Sequence, residues 1–86
     1  MSLYLVSYDL DHSQEFGQYE YFHAELRKTR GQKVLEELWL MRSALKADAI
    51  RDSLVKFVHR DDRILVAEVS DRNWAAWKVL TEICEI

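Results

Sequence analysis

Leu3–Tyr8, with the sequence LYLVSY, decides the fold, because this stretch is rich in aromatic and branched residues and almost continuously apolar. Such a run is typical of a central strand that is buried on both faces. The strand is expected to span Leu3 to Leu10 and to deliver a carboxylate, Asp9, to its exit. The other elements are therefore placed around it.

Two amphipathic helices are predicted further along the chain. Residues 17–30 place Tyr19, Phe22 and Leu26 on one helical face, and Gly31 suits the C-cap. A second helix begins near Lys46, and its apolar positions follow at helical spacing: Ala47, Ile50, Leu54, Phe57 and Val58.

The remaining strands are predicted from shorter apolar runs. Lys33 to Arg42 reads as one strand bent at Glu36-Glu37 or as two short strands, and Arg63 to Val69 as another strand. Residues 71–86 are ambiguous. Asp71 is able to cap a helix that buries Trp74, Trp77 and Leu80, and the last residues are able to form an edge strand.

The order of these elements predicts the fold class. Strand, helix, one or two strands, helix and strand favour an α+β domain, a ferredoxin-like sandwich (βαββαβ with a C-terminal tail). Its antiparallel sheet carries both helices on one face, and residues 1–86 form a single domain. Apolar residues on both faces of the first and last strands indicate that a second subunit or the tail covers the other face.

Composition restricts the classes of function. The chain has 86 residues, a net charge of −3, no proline and one cysteine, Cys84, which indicates a reducing compartment. No apolar stretch of about 18 residues and no export signal is present, so we expect a soluble, cytoplasmic protein without a membrane partner. Proteins that bind nucleic acid non-specifically usually carry a positive excess, so that role would need a local basic patch, a cation or a basic partner.

The segment Tyr8-Asp9-Leu10-Asp11-His12 is the candidate catalytic site. Carboxylates that leave a strand are able to hold Mg²⁺, which often uses only one or two of them and keeps several waters. Asp9 is the candidate metal ligand, and Asp11 and His12 would assist, His12 as a general acid or base. The competing interpretation is structural, with Asp11 or Ser13 capping the following helix.

Basic and aromatic residues give two further candidates. A basic patch surrounds the end of the first helix and is a candidate nucleic-acid contact: Arg27, Lys28, Arg30 and Lys33. Its alternative role is to complement the helix dipole. Trp39, Trp74 and Trp77 are interpreted as core or interface residues rather than as surfaces for stacking bases.

Several segments of the chain resemble the SinR-like small proteins, which belong with the CRISPR-associated Cas-two proteins and the virulence-associated VapD ribonucleases. These segments are Tyr8-Asp9-Leu10, Val34 to Leu40, Ala47 to Leu54 and Asp61 to Val66. The resemblance implies a ferredoxin-like fold and a homodimer. It also implies that Asp9, which matches the family's aspartate after the first strand, lies near the dimer axis as a Mg²⁺ ligand for phosphodiester cleavage.

Two functional hypotheses follow. The first is a metal-dependent nuclease that acts on RNA or DNA as a homodimer and holds Mg²⁺ with paired copies of Asp9. The second is a non-catalytic dimeric module that binds nucleic acid or another protein through its sheet edges and tail. A small-molecule sensor of the same fold has no residue signature in this sequence.

Overall fold

The strand β1 (Ser2–Asp9) lies in the interior of a sheet in the computed structural model, which describes residues 1–11, 19–69 and 74–81. The other elements follow in chain order: α1 (Glu20–Lys28), β2 (Gln32–Leu35), β3 (Leu38–Ser43), α2 (Ala47–Leu54), a short 3₁₀ helix (Val55–Phe57) and β4 (Arg63–Glu68). Each predicted strand and both predicted helices are therefore present, with ends that differ by a few residues.

The sheet has four strands in the order β2-β3-β1-β4, and every pair of neighbours is antiparallel. The long predicted segment from Lys33 is two strands, because residues 36 and 37 form a turn and let the chain reverse direction. This α+β arrangement of one antiparallel sheet and two helices is compatible with a ferredoxin-like fold.

Both helices pack against the same face of the sheet. The main core joins alternate residues of β1 and β3 to the buried faces of α1 and α2: Tyr4, Val6, Tyr8, Trp39, Met41, Phe22, Leu26, Ile50 and Leu54. The period of two in a strand places the intervening residues on the opposite, helix-free face. A second cluster forms there around Leu3, Val34 and Leu40, and Val79 of the C-terminal segment packs against it.

The predicted role of Gly31 as the C-cap of α1 is wrong. Thr29 is the C-cap, and the residue with left-handed backbone is Arg30, whose φ is 59°. Glycine is required at position 31 for space, because a Cβ there would lie 2.7 Å from the carbonyl oxygen of Leu40. The close approach of this loop to β3, rather than a cap conformation, accounts for the glycine.

The C-terminal segment differs from its predicted helix. Residues 74–81 form no helix, and Trp77 and Leu80 are 81% and 54% exposed. The segment instead meets the edge of β2, where the Leu80 N–H donates to the Val34 carbonyl oxygen at 2.9 Å. Asp71 and the last five residues lie outside the described part of the chain.

None of the helices within the described ranges combines the length and the apolar character that a membrane crossing requires.

Candidate functional site

Asp9 lies at the exit of β1, directly opposite Arg63 at the start of β4. Its Oδ2 is 3.4 Å from Nη1 of Arg63, and the two side chains are 68% and 83% exposed. Asp9 shares the parity of Leu3 and Leu5 in β1, so it lies on the helix-free face. The strand therefore presents a carboxylate to solvent as predicted, but with an arginine beside it.

A second carboxylate, Asp62, organises the same end of the sheet. Its Oδ1 accepts the backbone N–H of Asp11 at 2.6 Å, and its Oδ2 accepts the backbone N–H of His59 at 2.7 Å. The Tyr19 hydroxyl lies 2.9 Å from the same Oδ1 and 2.8 Å from the Asp11 carbonyl oxygen. We call these four residues, Asp11, Tyr19, His59 and Asp62, the Asp62 cluster.

The Asp62 cluster shifts two ionisation equilibria. Burial alone would raise the pKa of Asp62, but the hydrogen bonds from Asp11, His59 and Tyr19 and the nearby His59 outweigh it, so the pKa is lowered. Burial, and then the hydrogen bond and the negative charge of Asp62, raise the pKa of Tyr19 to about 12. Asp62 is therefore a carboxylate and Tyr19 a neutral phenol at neutral pH.

The Asp62 cluster joins three parts of the chain. Asp11 follows β1, Tyr19 is the N-cap position of α1, and His59 and Asp62 form the turn before β4. Tyr19 caps α1 without a side-chain hydrogen bond, so Asp11 is not the predicted helix cap. Ser13, the other predicted cap, lies outside the described residues.

Asp62 is not among the site residues that the sequence predicts. The available signal is local: an aspartate three residues after His59 is able to accept its backbone N–H in a turn. Nothing in that spacing predicts the contacts with Asp11 and Tyr19, which are 51 and 43 positions away. These long-range bonds depend on the folded sheet.

Two of the predicted catalytic residues, Asp9 and Asp11, lie at the same end of β1. The hydrogen bonds of Asp11 given above use its backbone and hold it in the Asp62 cluster, and His12 lies outside the described residues. Within residues 1–11, 19–69 and 74–81, no group of three histidine, cysteine, aspartate or glutamate side chains is placed to hold a metal ion. Asp9, the predicted metal ligand, has an exposed carboxylate that is paired with Arg63.

The part of the predicted basic patch at the end of α1 lies away from Asp9, whereas Lys33 is level with Val6 in the middle of β1. Lys28 and Thr29 border a surface depression together with Met1, at the beginning of β1, whereas Asp9 ends that strand. An eight-residue strand is about 23 Å long, so the end of α1 and Asp9 occupy opposite ends of the sheet. Lys28 pairs with Glu25 at 3.4 Å and Lys33 with Glu36 at 3.8 Å, which reduces the net charge of the patch.

The three tryptophans divide into two groups. Trp39 is buried in the main core and donates its Nε1–H to the Tyr8 hydroxyl at 3.1 Å, which confirms its predicted core position. Trp74 and Trp77 are exposed, and the Lys78 ammonium lies 5.6 Å from the Trp77 ring centre. The two exposed rings are thus available to a partner.

No known protein family, curated protein or solved structure matches the chain significantly. The resemblance to the SinR-like proteins therefore stays a prediction from the sequence.

Proposed function

We propose that the protein is a ferredoxin-like, non-catalytic module that assembles as a homodimer through a sheet edge and binds a further protein through its C-terminal segment. The element order βαββαβ and the strand order β2-β3-β1-β4 support the ferredoxin-like assignment. The acidic net charge of −3 and the partly neutralised basic patch favour a protein partner over nucleic acid.

The proposal depends on one observation, which concerns the outer backbone edge of the strand β4. Among the described residues, β4 pairs only with β1, and its outer side has no strand partner. Its sequence between Arg63 and Glu68 is the apolar run Ile64-Leu65-Val66-Ala67, and Leu65 is 61% exposed. An unprotected apolar edge of this kind is a template for pairing with another chain.

A second candidate function is the Mg²⁺-dependent nuclease acting on RNA or DNA. It is favoured by the exposed carboxylate of Asp9 at a strand exit, with Arg63 close enough to contact a phosphate. Asp9 would hold the metal, and Mg²⁺ would neutralise the phosphodiester and activate water. Asp9 is a single carboxylate paired with a cation, and the nuclease hypothesis adds a second copy of Asp9, from another subunit, at the same metal ion.

One assay separates the two functions. The unmodified protein and an Asp9→Asn variant, purified identically, are incubated with labelled RNA and DNA in Mg²⁺, Mn²⁺ or EDTA. A non-catalytic module gives equal, background cleavage for both proteins under all conditions. Metal-dependent cleavage that disappears in Asp9→Asn would establish the nuclease and overturn our first proposal.

A further inference from the structure

The outer edge of β4 presents a defined set of backbone groups. The Val69 N–H donates to the Leu3 carbonyl oxygen at 2.8 Å, and Val69 lies in register with Leu3. Hydrogen-bonding direction alternates along an antiparallel pair, so residues 63, 65 and 67 also turn their backbone groups toward β1. Ile64, Val66 and Glu68 therefore direct their N–H and C=O groups outward.

The two edges of the sheet differ in protection. At β2, the Leu80 N–H already donates to the Val34 carbonyl oxygen, so the C-terminal segment contacts that edge. At β4, the run from Ile64 to Ala67 contains no proline and no charge, and the irregularity in strand pairing lies in β2 instead. Charges, proline and bulges are the usual devices that prevent edge pairing, and the apolar part of β4 has none of them.

Symmetry limits how two copies of β4 are able to pair. Two antiparallel copies of β4 are related by a two-fold axis perpendicular to the sheet. The helix-bearing faces of both subunits then lie on the same side of the joined sheet, so residues that face each other across the two strands come from the same face. A pair centred on Val66 uses all three outward-facing residues. Ile64 then lies opposite Glu68 of the second copy, and Leu65 lies opposite its Ala67 on the helix-free face.

Charge supports this register. A pocket between α2 and β4 lies beside Ile64 and is lined by Arg51, His59, Arg60 and Asp62. Arg51 is already paired with Asp52 at 2.9 Å, so Arg60 is the arginine of this pocket that has no ion pair within the described residues. Glu68 is exposed and lies on the helix-bearing face, since it is in register with Tyr4 of the main core. Pairing about Val66 brings the Glu68 carboxylate of each copy beside Ile64 of the other, in the pocket that Arg60 lines.

We propose that the homodimer forms by antiparallel pairing of two β4 strands about Val66, with Glu68 of each copy paired with Arg60 of the other. This rests on the proposed function for the existence of the dimer, and adds its interface. The sheet becomes continuous across both subunits, with eight strands formed from two sets of four. Leu65, which is 61% exposed in the single chain, then gains Ala67 of the second copy as a cross-strand neighbour.

This interface also bears on Asp9. Asp9 lies on β1, the strand next to β4, and is in register with Arg63, which is three residues from Val66. With strands about 4.8 Å apart and residues rising about 3.3 Å, the two Asp9 residues would lie roughly 25 Å from each other. Two carboxylates at that distance are unable to share one metal ion, so this dimer is incompatible with the nuclease site.

The test is a charge exchange between two variants, measured by sedimentation equilibrium. Glu68→Arg and Arg60→Glu each place like charges together at both contacts of a homodimer. Each is expected to raise the dimer dissociation constant by about tenfold or more. In an equimolar mixture, the heterodimer has opposite charges at both contacts, so association is expected to return. Glu36→Arg, which makes the same charge change at the β2–β3 turn, is the control and keeps the dimer.

Val66→Pro provides an independent test, because it removes an outward N–H without affecting the bonds to β1. Circular dichroism and a thermal melt show whether this variant is folded, and it is expected to be folded and monomeric. If the unmodified protein is a dimer but neither the charge variants nor a folded Val66→Pro weakens it, the β4 interface is wrong and the homodimer stands. If the unmodified protein is a monomer, the proposed function fails as well.

Discussion

The hydroxyl of Tyr19 lies 2.9 Å from Oδ1 of Asp62, although 43 positions separate the two residues in the chain. With the backbone N–H groups of Asp11 and His59, this contact gives Asp62 three hydrogen-bond donors at the end of the sheet where β1 ends. A carboxylate held in this way fixes the start of α1 and the turn before β4 relative to β1. Asp62 therefore stabilises the end of the domain that also carries Asp9.

The first prediction concerns the neutral amide at this position. Asp62→Asn keeps the shape but removes the charge and places an N–H₂ group near one of the donors. We expect the free energy of unfolding to fall by about 1–3 kcal/mol, because hydrogen bonds to a charged group are lost. Urea denaturation measures this loss. Asp61→Asn, at the neighbouring exposed position, is the control and should change stability by less than about 0.5 kcal/mol.

Acid should weaken the same cluster. The pKa of Asp62 lies below its ordinary value of 3.8, so the folded state binds this proton less tightly than the unfolded state. Its contribution is thus present above the unfolded pKa and is lost as pH falls through the folded pKa. Denaturation of both proteins between about pH 6 and pH 2 should show the difference between unmodified protein and Asp62→Asn shrinking toward acid. A difference that stays constant with pH would contradict the assignment.

Alkaline pH should destabilise the protein through Tyr19, the phenol that contacts Asp62. The pKa of Tyr19 is raised to about 12, above its ordinary value of 10.0. Stability from this phenol is fully present below pH 10.0 and is lost as pH rises toward the folded pKa. Tyr19→Phe should reduce the alkaline loss of stability without abolishing it, because burial also raises the pKa of Tyr8. Denaturation from neutral to strongly alkaline pH measures the difference between the two proteins. Tyr21→Phe, at a phenol that is 73% exposed, should retain the full alkaline loss.

Two adjacent substitutions after α1 should change stability in opposite directions. Gly31→Ala places a Cβ 2.7 Å from the Leu40 carbonyl oxygen and 3.0 Å from the Met41 Cβ, so strand backbone must move. We expect a loss of about 1–3 kcal/mol. Arg30→Gly relieves a left-handed residue with φ of 59° and should raise stability by up to about 1 kcal/mol. Thermal or urea unfolding of both variants distinguishes a steric requirement at 31 from a conformational one at 30.

The Asp9–Arg63 pair should matter little for stability. Both side chains are more than half exposed and the atoms are 3.4 Å apart, so solvent and salt screen the attraction. Asp9→Asn is expected to change the free energy of unfolding by less than about 1 kcal/mol. Measurements at low and high salt should give nearly the same difference. A larger loss would show that Asp9 has a structural role beyond this pair.

The strands and helices were predictable because their apolar residues recur with the period of each element. LYLVSY identified β1, and the spacing of Tyr19, Phe22 and Leu26 identified α1. The turn at residues 36 and 37 was left open, because a charged pair within an apolar run fits either a bend or a turn.

The tail and the Asp62 cluster were not predictable for a different reason. Trp74, Trp77 and Leu80 have helical spacing, yet their segment is not a helix, contacts β2 through Leu80 and exposes all three side chains. Spacing describes a local preference, whereas the Leu80–Val34 hydrogen bond depends on the edge that the folded sheet provides. Asp62 is a similar case, because its partners are brought to it by the packing of β1, α1 and β4.

The assembly state of the unmodified protein tests the central claim most directly. Light scattering coupled to size exclusion, at several protein concentrations, should give a mass that approaches twice the 10.2 kDa of one chain. A mass of one chain at every concentration would contradict the homodimer and, with it, the proposed pairing of β4.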